Sequence, residues 1–363
     1  MNLPSLHAAS ARQDYPDGWA PGELAPPRRP RGRARWLIAL AALVTAIAVC
    51  GAFVLVDDAG TDAASDTSAA ATDNPAPLDA AAVASAGDTG PLTLVTEDPT
   101  CPTWNGVAGA VAEARGTDWD TRASRVPATS WTPGQRTRFT AVGNALRTAA
   151  DTAVHLAVQT PHRAVRGLYE AFVVYGRAYA DSLLNYRPDD DVLAQTSLAA
   201  AEAITRICAA SESRAASSQA GRLTPVAPPT ARPLGYTPTA PKRFLPQPNR
   251  VCGQWVQDRD ALLTRLRGWS ALDPKVSVGS LTDAQVLVYA DAARTVTQFA
   301  ERMETAGRSS GNLVVEDFAT LAALYFRAYS RAVSLVWPGA HDMVRVGFAI
   351  TDLVAAGCGA AAT

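Results

Sequence analysis

The five-residue sequence YGRAY, beginning at Tyr175, recurs as YFRAY at Tyr325, and this repetition constrains the fold more than any other feature of the chain. When the chain is aligned with itself at the offset that separates these two tyrosines, other rare residues also match without a gap. The further pairs are Trp119 with Trp269, Cys208 with Cys358 and, one residue earlier in register, Cys101 with Cys252. Rare residues that stay in register over this length indicate an internal duplication of a unit of roughly 107 residues.

The cysteines support the same division of the chain. Four of the five lie at the two ends of the two units. Even numbers of cysteines at matched spacing are typical of disulfide frameworks outside the cytoplasm, where thiols become oxidised. We predict the disulfides Cys101–Cys208 and Cys252–Cys358, because this pairing treats both units alike. Four free thiols or a metal site are the alternatives, but the sequence has no C-x-x-C spacing that would support a metal site.

Helical signals divide each unit into four segments. A short helix follows the first cysteine, and Thr132 and Thr282 then stand three residues before a glutamine, which is the capping-box pattern. The helices predicted after these caps span about 133–158 and 283–306, and the third helices span about 162–186 and 313–336. Pro188 and Pro338 end the third helices, and a fourth helix runs to the second cysteine. No long stretch alternates with period two, so the predicted class is all-α, with two tandem, disulfide-linked four-helix units after one N-terminal transmembrane helix.

The repeated tyrosines belong to an apolar stripe on the third helix of each unit, because residues four apart lie on the same helical face. The arginine between them lies off that stripe. We expect it to be solvated or paired with a carboxylate such as Glu202 or Asp352 on the fourth helix. The alternative is an anion-binding arginine flanked by tyrosine hydroxyls. The possible binding residues are therefore Tyr175, Arg177, Tyr179, Tyr325, Arg327 and Tyr329.

The N-terminal region carries the signals of a single membrane anchor. The basic stretch RRPRGRAR precedes the uncharged residues 36–56, which would rise about 31 Å as a helix and so match a hydrocarbon core of roughly 30 Å. The positive-inside rule places the basic, disordered tail 1–35 in the cytoplasm and the rest of the chain outside. A cleaved secretory signal is the alternative, but its apolar region is typically about 7–15 residues long. Residues 57–100, acidic and poor in large apolar side chains, are predicted to form a disordered stalk.

A basic, proline-rich segment, 209–251, separates unit 1 (101–208) from unit 2 (252–358). Such a composition favours an extended chain that is partly polyproline II. We interpret it as a linker. Because its charge is opposite to that of the stalk, docking to an acidic partner or to anionic lipid is the alternative.

Little in the sequence points to catalysis. The sequence GRSSG, beginning at Gly307, matches the G-x-S-x-G pattern, but we predict it between two helices, where it is a surface loop. The histidines of the extracytoplasmic part, His155, His162 and His341, have no metal-ligand spacing. The aspartates 189–191 complement a helix dipole better than they form a calcium site. We therefore predict no cofactor, no metal and no enzymatic activity.

Composition narrows the remaining function classes. The formal net charge of −1 gives no sign of nucleic-acid binding, and the excess of arginine and alanine indicates a GC-rich genome, as in actinobacteria. We interpret the chain as a single-pass membrane protein of a bacterial cell envelope. Its extracytoplasmic part would bind or scaffold another envelope protein or an anionic envelope component. The alternatives are a sensory or secretion-accessory subunit and, less favoured, an enzyme acting on cell-wall material.

Overall fold

The computed structural model describes residues 83–226, 241–273, 276, 278–334 and 339–363. In these ranges the chain forms α-helices joined by short 3-10 turns and loops, and it forms no strand. The helices are α1 Cys101–Arg115, α2 Pro133–Gln159, α3 Arg163–Ser182, α4 Asp191–Glu212, α5 Ala215–Ala220, α6 Cys252–Arg265, α7 Arg267–Ser270, α8 Asp283–Ser309, α9 Leu313–Ser334 and α10 Ala340–Ala360. The 3-10 turns are Ala84–Gly87, Trp119–Thr121, Ala128–Ser130, Leu183–Asn185, Pro188–Asp190 and Val278–Ser280. The helical fold class is therefore confirmed for the described part of the chain.

The predicted membrane span, 36–56, lies outside the described residues, as do the N-terminal tail and the first part of the stalk. Within the described ranges, α10 is long and apolar enough to cross a membrane. However, 72% of its most apolar window is buried inside the fold. Burial of this kind is typical of a core helix, and α10 packs against α4 and α9.

The two long helices α2 and α8 begin at the predicted caps. The Thr132 hydroxyl accepts a hydrogen bond from the Gln135 backbone nitrogen at 3.2 Å, and the Gln135 side chain accepts one from the Thr132 nitrogen at 2.8 Å. Thr282 and Gln285 form the same pair of bonds at 3.3 and 2.9 Å. Each box supplies acceptors for two backbone N–H groups that have no partner inside the helix. The local sequence therefore determines where these helices begin.

Both predicted disulfides are present. Cys101 is bonded to Cys208, and Cys252 is bonded to Cys358, with sequence separations of 107 and 106 residues. The first bond joins α1 to α4, and the second joins α6 to α10. Closing loops of this size contributes about 4–5 kcal/mol to the free energy of unfolding when the effect is treated as lost chain entropy.

The two groups of helices pack together in one body. The last helices of the two groups, α4 and α10, lie side by side. The ring of Phe244 lies between Tyr175 and Phe318, at centroid distances of 5.8 and 5.4 Å. A side chain at Gly357 would overlap this ring, so the absence of a Cβ on α10 is what allows the close approach.

Two segment boundaries predicted from composition are wrong. Residues 83–100, assigned to the stalk, pack on the helices: Leu92, Leu94 and Val95 are buried, and Leu92 forms an isolated antiparallel bridge with Val226. Both ends of the predicted linker also belong to the body. At its start, α4 continues to Glu212 and α5 follows. At its end, Phe244, Leu245 and Val251 are buried. Averaged composition hides a few apolar residues that are enough to hold an extended segment on a helical surface.

Arg163 shows how the N-terminal segment is attached. It is 3% exposed at the start of α3, pairs with Asp88 at 2.9 Å and lies 3.4 Å from Asp317 on α9. A buried arginine requires such partners, since desolvation of an unpaired charge is costly. This one residue therefore links the segment before α1 to helices of both units.

Candidate functional site

The four repeated tyrosines do not form an exposed site. Tyr175, Tyr179, Tyr325 and Tyr329 are completely buried. Burial raises the pKa of the Tyr175 hydroxyl to about 12, with Arg243 acting in the opposite direction. Burial likewise raises the pKa of the other three hydroxyls, so all four stay protonated at neutral pH. The tyrosines are packing residues, as the stripe predicted.

The two arginines of the repeat face away from those tyrosines. Arg177 pairs with Asp151 on α2 at 2.7 Å, and Arg327 pairs with Glu304 on α8 at 2.6 Å. The expected fourth-helix partners are wrong, because Glu202 pairs with Arg206 instead. The equivalent carboxylate Asp352 pairs with Arg259 at 2.5 Å. A residue two positions after a core tyrosine is rotated about 200° from it, and on these helices that direction faces the preceding helix.

Arg327 belongs to a larger cluster, which we call the cationic groove. The groove has a volume of about 840 Å³ and runs between α8, α9 and the extended residues 222–226. Four arginines and one carboxylate are the charged groups in its lining. These are Arg222, Arg308, Arg327, Arg331 and Glu304. The groove therefore carries a clear excess of positive charge.

Glu304 holds two of these arginines in place. It is 9% exposed, and its two carboxylate oxygens accept hydrogen bonds from Arg308 at 2.5 Å and from Arg327 at 2.6 Å. Thr297 and Ser330 line the groove beside them, with their hydroxyl oxygens 2.9 Å apart. The carboxylate thus orients two guanidinium groups in the lining of the groove.

The other two arginines, Arg222 and Arg331, are exposed and form no ion pair with any residue that the structure describes. Leu223 and Pro225 provide accessible apolar surface beside these arginines. Unneutralised guanidinium groups next to apolar surface can bind an anionic group and pack against its carbon atoms at the same time.

The first unit lacks most of the charged groove residues at the equivalent positions. By the register of the repeat, Arg177 corresponds to Arg327, but Val154, Val158 and Asp181 occupy the positions of Glu304, Arg308 and Arg331. Asp181 itself pairs with Arg147 at 2.9 Å. Of the charged residues in the groove, only Arg327 belongs to the repeated five-residue sequence, and the others were not predicted. The aspartate-to-arginine difference between the copies, one turn after the repeated arginine, was the signal that could have found them.

His341 and His162 contact different parts of the fold. The His341 ring stacks on Trp269 and contacts the rings of Tyr289 and Tyr329. Burial, and then Arg345, lower its pKa, while Asp342 acts in the opposite direction. His162 directly precedes α3, and its Nε2 lies 2.9 Å from the Glu97 carbonyl oxygen.

The serine and aspartate motifs also have structural roles. Ser310 donates a hydrogen bond to the Gly307 carbonyl at 2.6 Å where α8 ends, so GRSSG is a helix terminus. Asp191 is buried in the first turn of α4 and pairs with Arg122 at 2.6 Å. Among the described residues, no group of three or more histidine, cysteine, aspartate or glutamate side chains could hold a metal ion.

Comparison with known proteins places the chain in a family. The sequence model of the mycobacterial ESX-1 associated proteins matches residues 83–362, which include both disulfides and the whole cationic groove. The chain belongs to this family. A protein of Mycolicibacterium smegmatis (strain MKD8) described as uncharacterized is 34% identical over 339 residues, which cover 93% of this chain and 89% of that protein. No solved structure matches the chain.

In this ESX-1 associated protein, the similarity to the smegmatis relative extends beyond the residues that the family model matches. An alignment of 339 residues is longer than 83–362 and so includes part of the N-terminal region. The relative therefore shares more than the helical body.

Proposed function

We propose that this ESX-1 associated protein is a non-enzymatic accessory subunit of the ESX-1 secretion system. The family match over residues 83–362 carries the proposal. It favours the secretion-accessory alternative over the general envelope scaffold, and it keeps the idea of a binding protein whose partner is another envelope protein. The packing of His341 against Trp269 and the structural roles of the serine and aspartate motifs support a binding function rather than a catalytic one.

In this proposal the protein is anchored by residues 36–56 and presents its helical body outside the cytoplasm. The basic stretch before the span supports that orientation. The two disulfides support it independently, because an oxidising compartment is where such bonds persist. A reporter that is active only outside the cytoplasm should be active when fused after Thr363. Activity only for fusions before Trp36 would contradict the orientation.

The test of the function is genetic. Deletion of the gene for the 34% identical relative in Mycolicibacterium smegmatis should reduce the amount of ESX-1 substrates in culture filtrate, while their amount inside the cells stays constant or rises. Expression of the full chain described here should restore export. A chain with Cys252→Ser and Cys358→Ser should restore export poorly, because loss of the second disulfide destabilises unit 2. Normal export in the deletion strain would overturn the proposal.

A further inference from the structure

We infer that the cationic groove is the docking site for an extended, acidic segment of a partner polypeptide. The inference deepens the proposed function, and it rests on that function for the partner's place in the secretion system. The binding chemistry itself rests only on the groove residues.

The groove has an excess of positive charge. The groove places Arg222, Arg308, Arg327 and Arg331 around one carboxylate, and two of the four arginines have no ion-pair partner among the described residues. A guanidinium group presents five N–H donors in a planar fork that matches a carboxylate. A segment with several carboxylates would neutralise the excess positive charge and occupy donors that the fold leaves unused.

Two of the groove arginines are held in place before any partner binds. Glu304 binds Arg308 and Arg327 through different carboxylate oxygens, so both guanidinium groups are already oriented in the free protein. Each still has N–H groups beyond the one bonded to Glu304. An ordered side chain loses less conformational entropy when it binds, which increases affinity for a given number of contacts.

The shape and lining of the groove favour a polypeptide over a compact anion. Its volume of about 840 Å³ far exceeds that of a phosphate group, and Leu223 and Pro225 contribute apolar surface between the charges. An extended chain places successive side chains on alternating sides, so carboxylates can reach the arginines while apolar groups cover Leu223 and Pro225.

The two copies of the repeat provide an internal comparison. The first unit retains Arg177 but has Val154, Val158 and Asp181 in place of the other groove residues, and its arginine is already paired with Asp151. The equivalent face of unit 1 therefore has no excess of positive charge. Binding of an acidic segment should be a property of unit 2 alone, which makes Arg177 the matched control.

The test is a binding measurement on the full chain in detergent micelles. The probe is a fluorescein-labelled peptide of alternating glutamate and alanine, followed by fluorescence anisotropy at low ionic strength. We expect Arg222→Glu and Arg331→Glu each to weaken binding by about tenfold, because each reversal replaces an attraction by a repulsion. Arg177→Glu should leave the affinity unchanged, and added salt should weaken binding of the wild type.

Both altered residues are exposed, so the variants should melt at the wild-type temperature, and this is measured in parallel. Unchanged affinity in both groove variants would overturn the inference. So would equal binding of a peptide of alternating glutamine and alanine. Displacement of the peptide by millimolar inorganic phosphate or glycerol phosphate, but not by sodium chloride at the same ionic strength, would assign the groove to compact anions and would also overturn it.

The peptide measurement does not depend on secretion. Its failure would overturn the docking inference and leave the proposed function standing. Normal export in the deletion strain would overturn the proposed function and leave the binding result intact.

Discussion

A tyrosine and an arginine that are two residues apart occupy opposite environments in this fold. Tyr179 and Tyr329 are completely buried, and the Tyr179 hydroxyl forms no hydrogen bond within the described part of the chain. The Arg177 side chain is 37% exposed and pairs with an exposed aspartate. Arg327 is less exposed, at 28%, and pairs with the buried Glu304. The same five-residue sequence therefore contributes to the core in both copies and to a charged groove in only one.

Substitution of these residues should separate the two environments. We expect Tyr179→Ala and Tyr329→Ala each to lower the free energy of unfolding by about 3–5 kcal/mol, the usual effect of deleting a buried aromatic side chain. Arg177→Ala should change it by less than about 1 kcal/mol, since its ion pair is exposed and screened by solvent. Arg327→Ala should have a larger effect than Arg177→Ala, because it removes one of two partners of a buried carboxylate. Urea unfolding of the full chain measures all four, and an Arg177 variant as unstable as the tyrosine variants would contradict this assignment.

At the scale of single helices, boundaries follow from local chemistry. Both α2 and α8 start one residue after a threonine whose hydroxyl accepts a hydrogen bond from the backbone three residues later. The predicted ends were less accurate: α8 extends to Ser309, three residues beyond its predicted end, whereas α2 extends only one residue further. Helix starts are determined by specific hydrogen bonds, but helix ends depend on the packing of the last turn.

The cap at Thr282 provides a test at this scale. Thr282→Ala should lower the free energy of unfolding by about 1 kcal/mol, because the first turn of α8 loses the acceptor for the Gln285 nitrogen. Thr282→Ser keeps the hydroxyl and serves as the control, with an expected change of a few tenths of a kcal/mol at most. Thermal melts compare the two variants. Equal melting temperatures for the alanine and serine variants would show that the capping box does not stabilise α8.

At the scale of the whole molecule, the two units share a core. Phe244, which lies in the segment between the two units in sequence, contacts an aromatic ring from each unit, and α4 packs along α10. The buried pair of Arg163 and Asp317 also joins the two units. Elements that bury a common apolar surface unfold together, because separating them exposes that surface to water.

Cooperativity is therefore the expected behaviour. Unfolding in urea should follow one transition, with tryptophan fluorescence and far-ultraviolet circular dichroism giving the same midpoint. Phe244→Ala should lower the free energy of unfolding by about 3–5 kcal/mol. Leu184→Ala is the matched control, because Leu184 is 85% exposed and its removal should have almost no effect. Two separate transitions in the wild type would mean that the units unfold independently.

The sequence alone determined the helical class, the disulfide pairing, the two capping boxes and the burial of the repeated tyrosines. Each of these depends on residues a few positions apart in one helix or on the register between two copies, and both are visible in a single chain. Only the tertiary structure decided that residues 83–100 and 241–251 belong to the body, that the units share a core, and that four arginines meet around Glu304. Those features join residues distant in sequence, and their energies depend on which helix faces which. Arg327 is an example. Helical geometry predicts that its side chain points away from the tyrosine stripe, but only the packing of α9 beside α8 places the buried carboxylate of Glu304 next to it.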